Sequence, residues 1–156
     1  MKPILIASDH AGFHLKGVVI AHLRTRDLPV ADLGTHSEAS VDYPAFGARM
    51  AEALAAGEGE RGVLICGTGI GIAMAANRHP HVRAAVCHDV SSARLARRHN
   101  DANVLALGAR LIGEVAALDC VDAFLETAFE GGRHARRVDQ LSRPFDRQLA
   151  TDSRTS

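Results

Sequence analysis

Surplus charge is the first thing this sequence lacks. Its 156 residues carry 18 Lys+Arg against 18 Asp+Glu, so no field of one sign exists to hold a nucleic-acid backbone or an anionic membrane, and general nucleic-acid binding is excluded. Any anion must be held by a few locally placed groups. Long apolar runs are missing too, since none approaches the roughly 20 residues of a membrane-spanning helix. The chain passes from Met1-Lys2-Pro3 directly into Ile4-Leu5-Ile6-Ala7, too short a run for a secretory signal. A cytoplasmic protein with no membrane contact is expected. Cysteine is scarce and unpaired: Cys66, Cys87 and Cys120 are odd in number and contain no Cys-x-x-Cys, which argues against a disulfide framework and a structural zinc site. Repeats and linkers are absent as well. What remains, 47% hydrophobic, suits one domain that buries about two thirds of its unfolded surface.

What the chain has is a repeated alternation of short aliphatic runs with helical patterns, organised around Gly62-Val63-Leu64-Ile65-Cys66-Gly67-Thr68-Gly69-Ile70-Gly71-Ile72. The aliphatic part reads as a strand buried on both faces. The glycines after Cys66 permit a tight turn and bring backbone N–H groups to the positive end of the following helix, read as Ile72 to Asn77. Thiols at such positions are acidified, which makes Cys66 a candidate base or nucleophile; a plain buried cysteine beside a turn is the alternative.

Before this stretch, strands are expected at Pro3 to Ser8 and Pro29 to Leu33. Between and after them fall a helix from Phe13 to Arg24, with Leu15, Val19 and Leu23 on one face, and a second one opened by Pro44 and carrying Phe46, Met50 and Leu54. Beyond it come strands at Arg83 to Cys87 and Asn103 to Leu107, and helices from Val90 to His99 and from about Gly113 to Phe129. A last amphipathic segment carries Val138, Leu141 and Phe145. Five strands alternating with helices predict an α/β protein: a three-layer α/β/α sandwich around a five-stranded parallel, Rossmann-like sheet, with one domain over 1–150 and a disordered polar tail over 151–156.

Such sheets bind ligands beyond the carboxyl ends of their strands. The groups expected there are Asp9 and His10, the 34–43 loop with Tyr43, Cys66 with its glycines, His88-Asp89, and Gly108 to Arg110. Asp9 and Asp89 taken singly suit helix capping. Two clusters lie off the strand ends. Arg97-Arg98-His99-Asn100-Asp101 closes a helix, where cations complement the dipole on a solvated face. Gly131-Gly132-Arg133-His134-Ala135-Arg136-Arg137 opens one, and the four-residue spacing of Arg133 and Arg137 puts both on one face, able to bracket a phosphate. His79, His81 and His88 lack metal-site spacing and read as surface or loop histidines. A dinucleotide-binding turn competes for the glycine-rich stretch. Gly67, Gly69 and the distant Asp89 fit it, but position 72, where its third glycine belongs, is Ile.

Ser8-Asp9-His10-Ala11-Gly12, Asp42-Tyr43-Pro44, Ile65-Cys66-Gly67-Thr68-Gly69-Ile70-Gly71, Arg98-His99-Asn100-Asp101-Ala102-Asn103, Gly108-Ala109-Arg110 and Glu130-Gly131-Gly132-Arg133-His134 together resemble the ribose/galactose isomerase family, in its ribose-5-phosphate isomerase B branch. The likeness runs from residue 4 to about 145. It implies a cofactor-free and metal-free aldose–ketose isomerase that interconverts D-ribose 5-phosphate and D-ribulose 5-phosphate through an enediolate, in the pentose phosphate pathway. Turnover of a related sugar phosphate such as D-allose 6-phosphate, or sugar-phosphate binding without catalysis, are the other readings.

By the same resemblance Cys66 is the base and His99 opens the sugar ring. Where other members use a nearby glutamate instead, positions 66–75 here hold none. Asp9, His10, Asn100, Arg110, Arg133 and Arg137 contact the sugar phosphate, and amides of Gly67, Thr68, Gly69, Ile70 and Gly71 surround the developing oxyanion. Tyr43 is a further substrate contact, and Thr68 is placed to hydrogen-bond the thiolate or a substrate hydroxyl. The resemblance also implies a homodimer, or a tetramer, with active sites between subunits, in which His99, Asn100 and Arg110 serve the neighbour's Cys66.

Overall fold

A computed structural model describes residues 1–143 of the chain. Phe145 of the expected last segment, and the expected 151–156 tail, lie outside the described residues. Five strands, β1 (Ile4–Ser8), β2 (Val30–Asp32), β3 (Gly62–Cys66), β4 (Ala84–Val86) and β5 (Val104–Gly108), form one parallel sheet in the order β2-β1-β3-β5-β4. Six helices accompany them: α1 (Phe13–Thr25), α2 (Tyr43–Ala55), α3 (Ile70–Ala76), α4 (Val90–Asn100), α5 (Glu114–Glu126) and α6 (Arg133–Leu141). None is long and apolar enough to cross a membrane.

Strand alternation divides the core in two. Ile6, Val63, Ile65, Leu105 and Leu107 point toward α1, α4 and α5, where they meet Val19, Leu23, Ala93, Val121 and Phe124. Leu5, Ala7, Leu64, Cys66 and Ala106 point to the other face, against Phe46 and Met50 of α2 and Ile72 of α3. All five residues of β3 and of β5 are buried, as central strands covered on both faces must be. The expected three-layer α/β/α architecture is what forms. β3 lies between β1 and β5, which puts Cys66 at the carboxyl end of the central strand with Ser8 and Gly108 on its flanks.

Most boundaries fall within one residue of expectation, and two differ by more, for local reasons. α3 starts at Ile70 rather than Ile72, because Gly69 takes a left-handed φ of 77° and turns the chain into the helix early. α5 ends at Glu126: Thr127 is extended, and its Oγ1 donates back to the Ala123 carbonyl. At one edge of the sheet, Asn77 covers the side of β4 that faces away from β5. Its Nδ2 donates to the Ala84 carbonyl at 2.9 Å and its Oδ1 accepts the Ala84 N–H at 2.7 Å.

Candidate active site

The carboxyl end of the sheet is assembled largely from backbone. Cys66 is 4% exposed, and its Sγ accepts the Gly69 N–H at 3.1 Å. The first turn of α3 points further N–H groups the same way, since helix geometry gives them no internal partner. Thr68 Oγ1 accepts the Ile70 N–H at 3.2 Å, which leaves its own O–H free to donate outward. The Tyr43 ring lies over Gly71 so closely that a Cβ there would stand 2.7 Å from it; only hydrogen fits.

Side chains from the neighbouring strands close around this loop. Asp9, buried after β1, accepts the Gly12 N–H at 3.1 Å and so fixes the turn that leads into α1, whose N-cap is Gly12. His10 Nδ1 accepts the Val41 N–H at 3.2 Å, a bond that assigns the proton of the neutral ring to Nε2 and aims a donor away from the loop. Arg110 stands beside Gly67, with Nη1 3.2 Å from where a Cβ would be, and its N–H donates to the Gly67 carbonyl. Arg110 therefore sits on its own chain's cysteine loop, a correction to the expected grouping with His99 and Asn100. Behind the loop a buried lysine braces the 34–43 segment. Lys16 Nζ, 2% exposed, donates to Asp32 Oδ1 at 2.5 Å and to the Thr35 carbonyl at 2.7 Å.

The other expected residues lie at the opposite end. α4 starts beyond β4 and runs back along the sheet, so its last turn, with His99 and Asn100, reaches the edge where strands begin. Asn100 shares a cleft of about 410 Å³ with Arg83 and Ala84 at the start of β4 and with Leu141 of α6. α6 carries Arg133 and Arg137 to the same edge. The His99 and His134 rings stack there, 4.4 Å between centroids and 14° between planes. Within one protomer, then, Cys66, Thr68, Asp9, His10, Tyr43 and Arg110 form one group, and His99, Asn100, Arg133 and Arg137 form another.

Several residues have more to do than their sequence pattern suggested. Arg97, expected on a solvated face, is 5% exposed: it ion-pairs with Asp101, donates to the Ala102 and Thr127 carbonyls and lies over the Phe124 ring. A cation closing a helix gives no sign of which way it will point. His88 lies in the loop between β4 and α4, as expected, but is half-buried, with a buried Nε2 that has no partner among the described residues. His134, unremarked within its arginine-rich run, is buried; Asp89 caps α4 through the Ser92 N–H, and that bond holds its carboxyl below the usual range.

Burial disfavours the charged form of the other two thiols. Cys87 is raised, and Cys120 is pushed up to about 11, chiefly by loss of solvent. His99, Glu130 and His134 could offer three ligand atoms to a metal, all within 4.8 Å of one another. Arg98 lies 3.9 Å from Glu130, and Arg133 flanks His134 in sequence, so the surroundings favour an anion over a cation.

A thiol set among backbone donors at a sheet's carboxyl edge, with histidines and arginines at its amino edge, suits a class of α/β proteins that handle small anionic substrates. Comparison with known proteins narrows it. Residues 4–141 match the family model described as Ribose/Galactose Isomerase, and the chain belongs to that family; it is an aldose–ketose isomerase. It is 48% identical over 142 residues to ribose-5-phosphate isomerase B of Escherichia coli, covering 91% of this chain and 95% of that one. The solved Clostridium thermocellum ribose-5-phosphate isomerase B superposes with a TM-score of 0.89 at 49% identity, over 98% of this chain and 99% of that one. The Mycoplasma genitalium enzyme, solved with bound ribulose 5-phosphate, gives 0.84 at 43% identity, covering 90% of this chain and 93% of that one.

Proposed function

We propose that this chain interconverts D-ribose 5-phosphate and D-ribulose 5-phosphate with its own side chains and backbone, needing neither metal nor organic cofactor. The observation that carries the reading is the Gly69 N–H on Cys66 Sγ at the head of the glycine turn. It sets the sulfur beside donors fixed before the reaction starts. Relatives named for this reaction, one solved with ribulose 5-phosphate, support the substrate. A phosphorylated sugar and three free thiols suit the reducing cytoplasm.

The chemistry then divides between the two groups of residues. His99 hands a proton to the ring oxygen as the C1 hydroxyl loses its own, giving the open-chain aldehyde; histidine is the side chain suited to that exchange near neutral pH. The Cys66 thiolate takes the proton from C2, and the electron pair moves to O1. The resulting enediolate is held by amides of the 67–71 loop, each such donor being worth about 3–4 kcal/mol where it has been measured. Thr68 O–H donates to the substrate oxygens. The proton held by Cys66 returns to C1 while the O2 proton passes to O1, which leaves a ketone at C2. Arg133, Arg137 and the Nε2–H of His10 hold the phosphate, with Asp9, Tyr43, Asn100 and Arg110 lining the rest. That remote anchor sets C1 and C2 over the thiolate.

Because Cys66 and His99 lie at opposite ends of one protomer, the site is completed in a homodimer, where one chain's carboxyl end meets its partner's amino end. Turnover of D-ribose 5-phosphate tests the reading: activity should persist with a metal chelator and exceed that on D-allose 6-phosphate. Loss on chelation, or preference for the hexose, overturns it.

A further inference from the structure

The stacked histidines at the amino end give His134 a task. Its neighbours Arg133, Ala135, Arg136 and Arg137 are all exposed, whereas its ring is buried against α4. His99, in the last turn of α4, is only half-buried and turns freely about its outer torsion unless something holds its plane. The stack, at 4.4 Å and 14°, is what holds it.

The joint around this stack is built rather than incidental. The Glu130 N–H donates to the Arg98 carbonyl at 3.1 Å and Arg97 Nε donates to the Thr127 carbonyl at 3.2 Å, which ties the segment before α6 to α4. Gly131 and Gly132, both at positive φ, then turn the chain so that α6 presents His134 beneath His99. Glu130 Oε2 stands 3.6 Å from His134 Nε2, and its carboxylate lies within 4.8 Å of a ring nitrogen of each histidine. We propose that His134 is a positioning residue, fixing the plane of the His99 imidazole so that its N–H is aimed at the sugar ring oxygen.

Charge supports the assignment. Burial, His99, Arg133 and Arg137 all lower the pKa of His134, against the opposing pull of Glu130, with Arg98 of α4 adding positive charge beyond it. A neutral His134 lets His99 carry the proton that ring opening uses, since two imidazolium rings this close repel.

This inference rests on the ring-opening role of His99, and two substrates separate the two. D-ribose 5-phosphate must be opened, whereas 4-deoxy-D-erythro-pentose 5-phosphate lacks the hydroxyl that closes the furanose and is already an aldehyde. His134→Ala should lower kcat on ribose 5-phosphate about 10- to 100-fold, leave KM within about threefold and change kcat on the 4-deoxy sugar less than about threefold. His134→Phe, which keeps a flat ring in the stack, should restore most of the loss. Equal losses on both sugars, no loss on either, or failure of Phe to rescue overturns the positioning role. His99→Asn run in parallel tells the failures apart: if it too affects both sugars alike, ring opening by His99 is wrong, and if only His134 fails, that reading stands.

Discussion

The two ends of the sheet are built on opposite plans. At the carboxyl end a buried thiol sits in a loop whose chemistry is mostly main chain, gripped by strands on both sides: the Ala109 N–H donates to the Cys66 carbonyl at 2.9 Å, and a Cβ on Gly12 would fall 2.6 Å from the Ile65 carbonyl oxygen. At the amino end the chemistry is side chain only, carried by the last turn of α4 and by α6, on exposed arginines and one stacked pair of imidazoles. A proton leaving carbon needs donors that do not move, which backbone supplies. A phosphate and a ring oxygen are met by longer, aimable groups. In the proposed mechanism neither end is a site by itself, and a homodimer would join them.

The heaviest blow to the carboxyl end is removal of its proposed base. Cys66→Ala should reduce kcat by at least about 10³-fold, within the range general bases supply, while ribulose 5-phosphate still binds in calorimetry. Near-normal turnover would end the proton-transfer role. The division itself is tested by mixing. Cys66→Ala and His99→Asn protomers, each nearly inactive alone, should on unfolding and reassembly recover roughly a quarter of wild-type activity, because half the dimers are mixed and each of those has one intact site. No recovery would place both residues in one chain's site.

Smaller effects sharpen the contrast in rigidity. Gly69→Ala forces a side chain onto a φ of 77° and to 2.9 Å from the Leu107 carbonyl carbon; it should cost about 1–2 kcal/mol for the backbone alone, seen as a lower thermal midpoint, with kcat falling too. Gly131→Ala, also at positive φ but with nothing near its Cβ position, should cost less, and an equal cost would contradict the difference. The smallest effect concerns Cys120. Between the ordinary thiol value of 9.0 and about 11, the unfolded chain releases this proton while the folded chain keeps it, so stability falls as pH rises through that window. Chemical denaturation of Cys120→Ala should show a shallower alkaline decline than wild type.

The carboxyl end was the more legible one in sequence. Aliphatic runs ending in Ser8, Cys66 and Gly108 announce strands, and glycine after cysteine announces a turn, because both signals are local. The parallel α/β sandwich followed from the alternation. Which way α4 carries His99 away from Cys66 did not, since that depends on strand order and on where a helix ends. The burial of Arg97 and the His99–His134 stack are likewise products of α4, α5 and α6 meeting, residues 35 apart in sequence in the case of the stack. The early start of α3 turned on Gly69 alone, and glycine permits that conformation without requiring it.

Asn77 has a consequence that reaches beyond the single molecule. Parallel sheets end in strands whose outward N–H and C=O groups can recruit any extended chain that drifts past, and growth from such an edge has no natural stop. By answering both groups of Ala84 with one side-chain amide, Asn77 blunts the β4 edge the way a capping reagent blocks one end of a growing polymer, leaving that edge less to offer another chain.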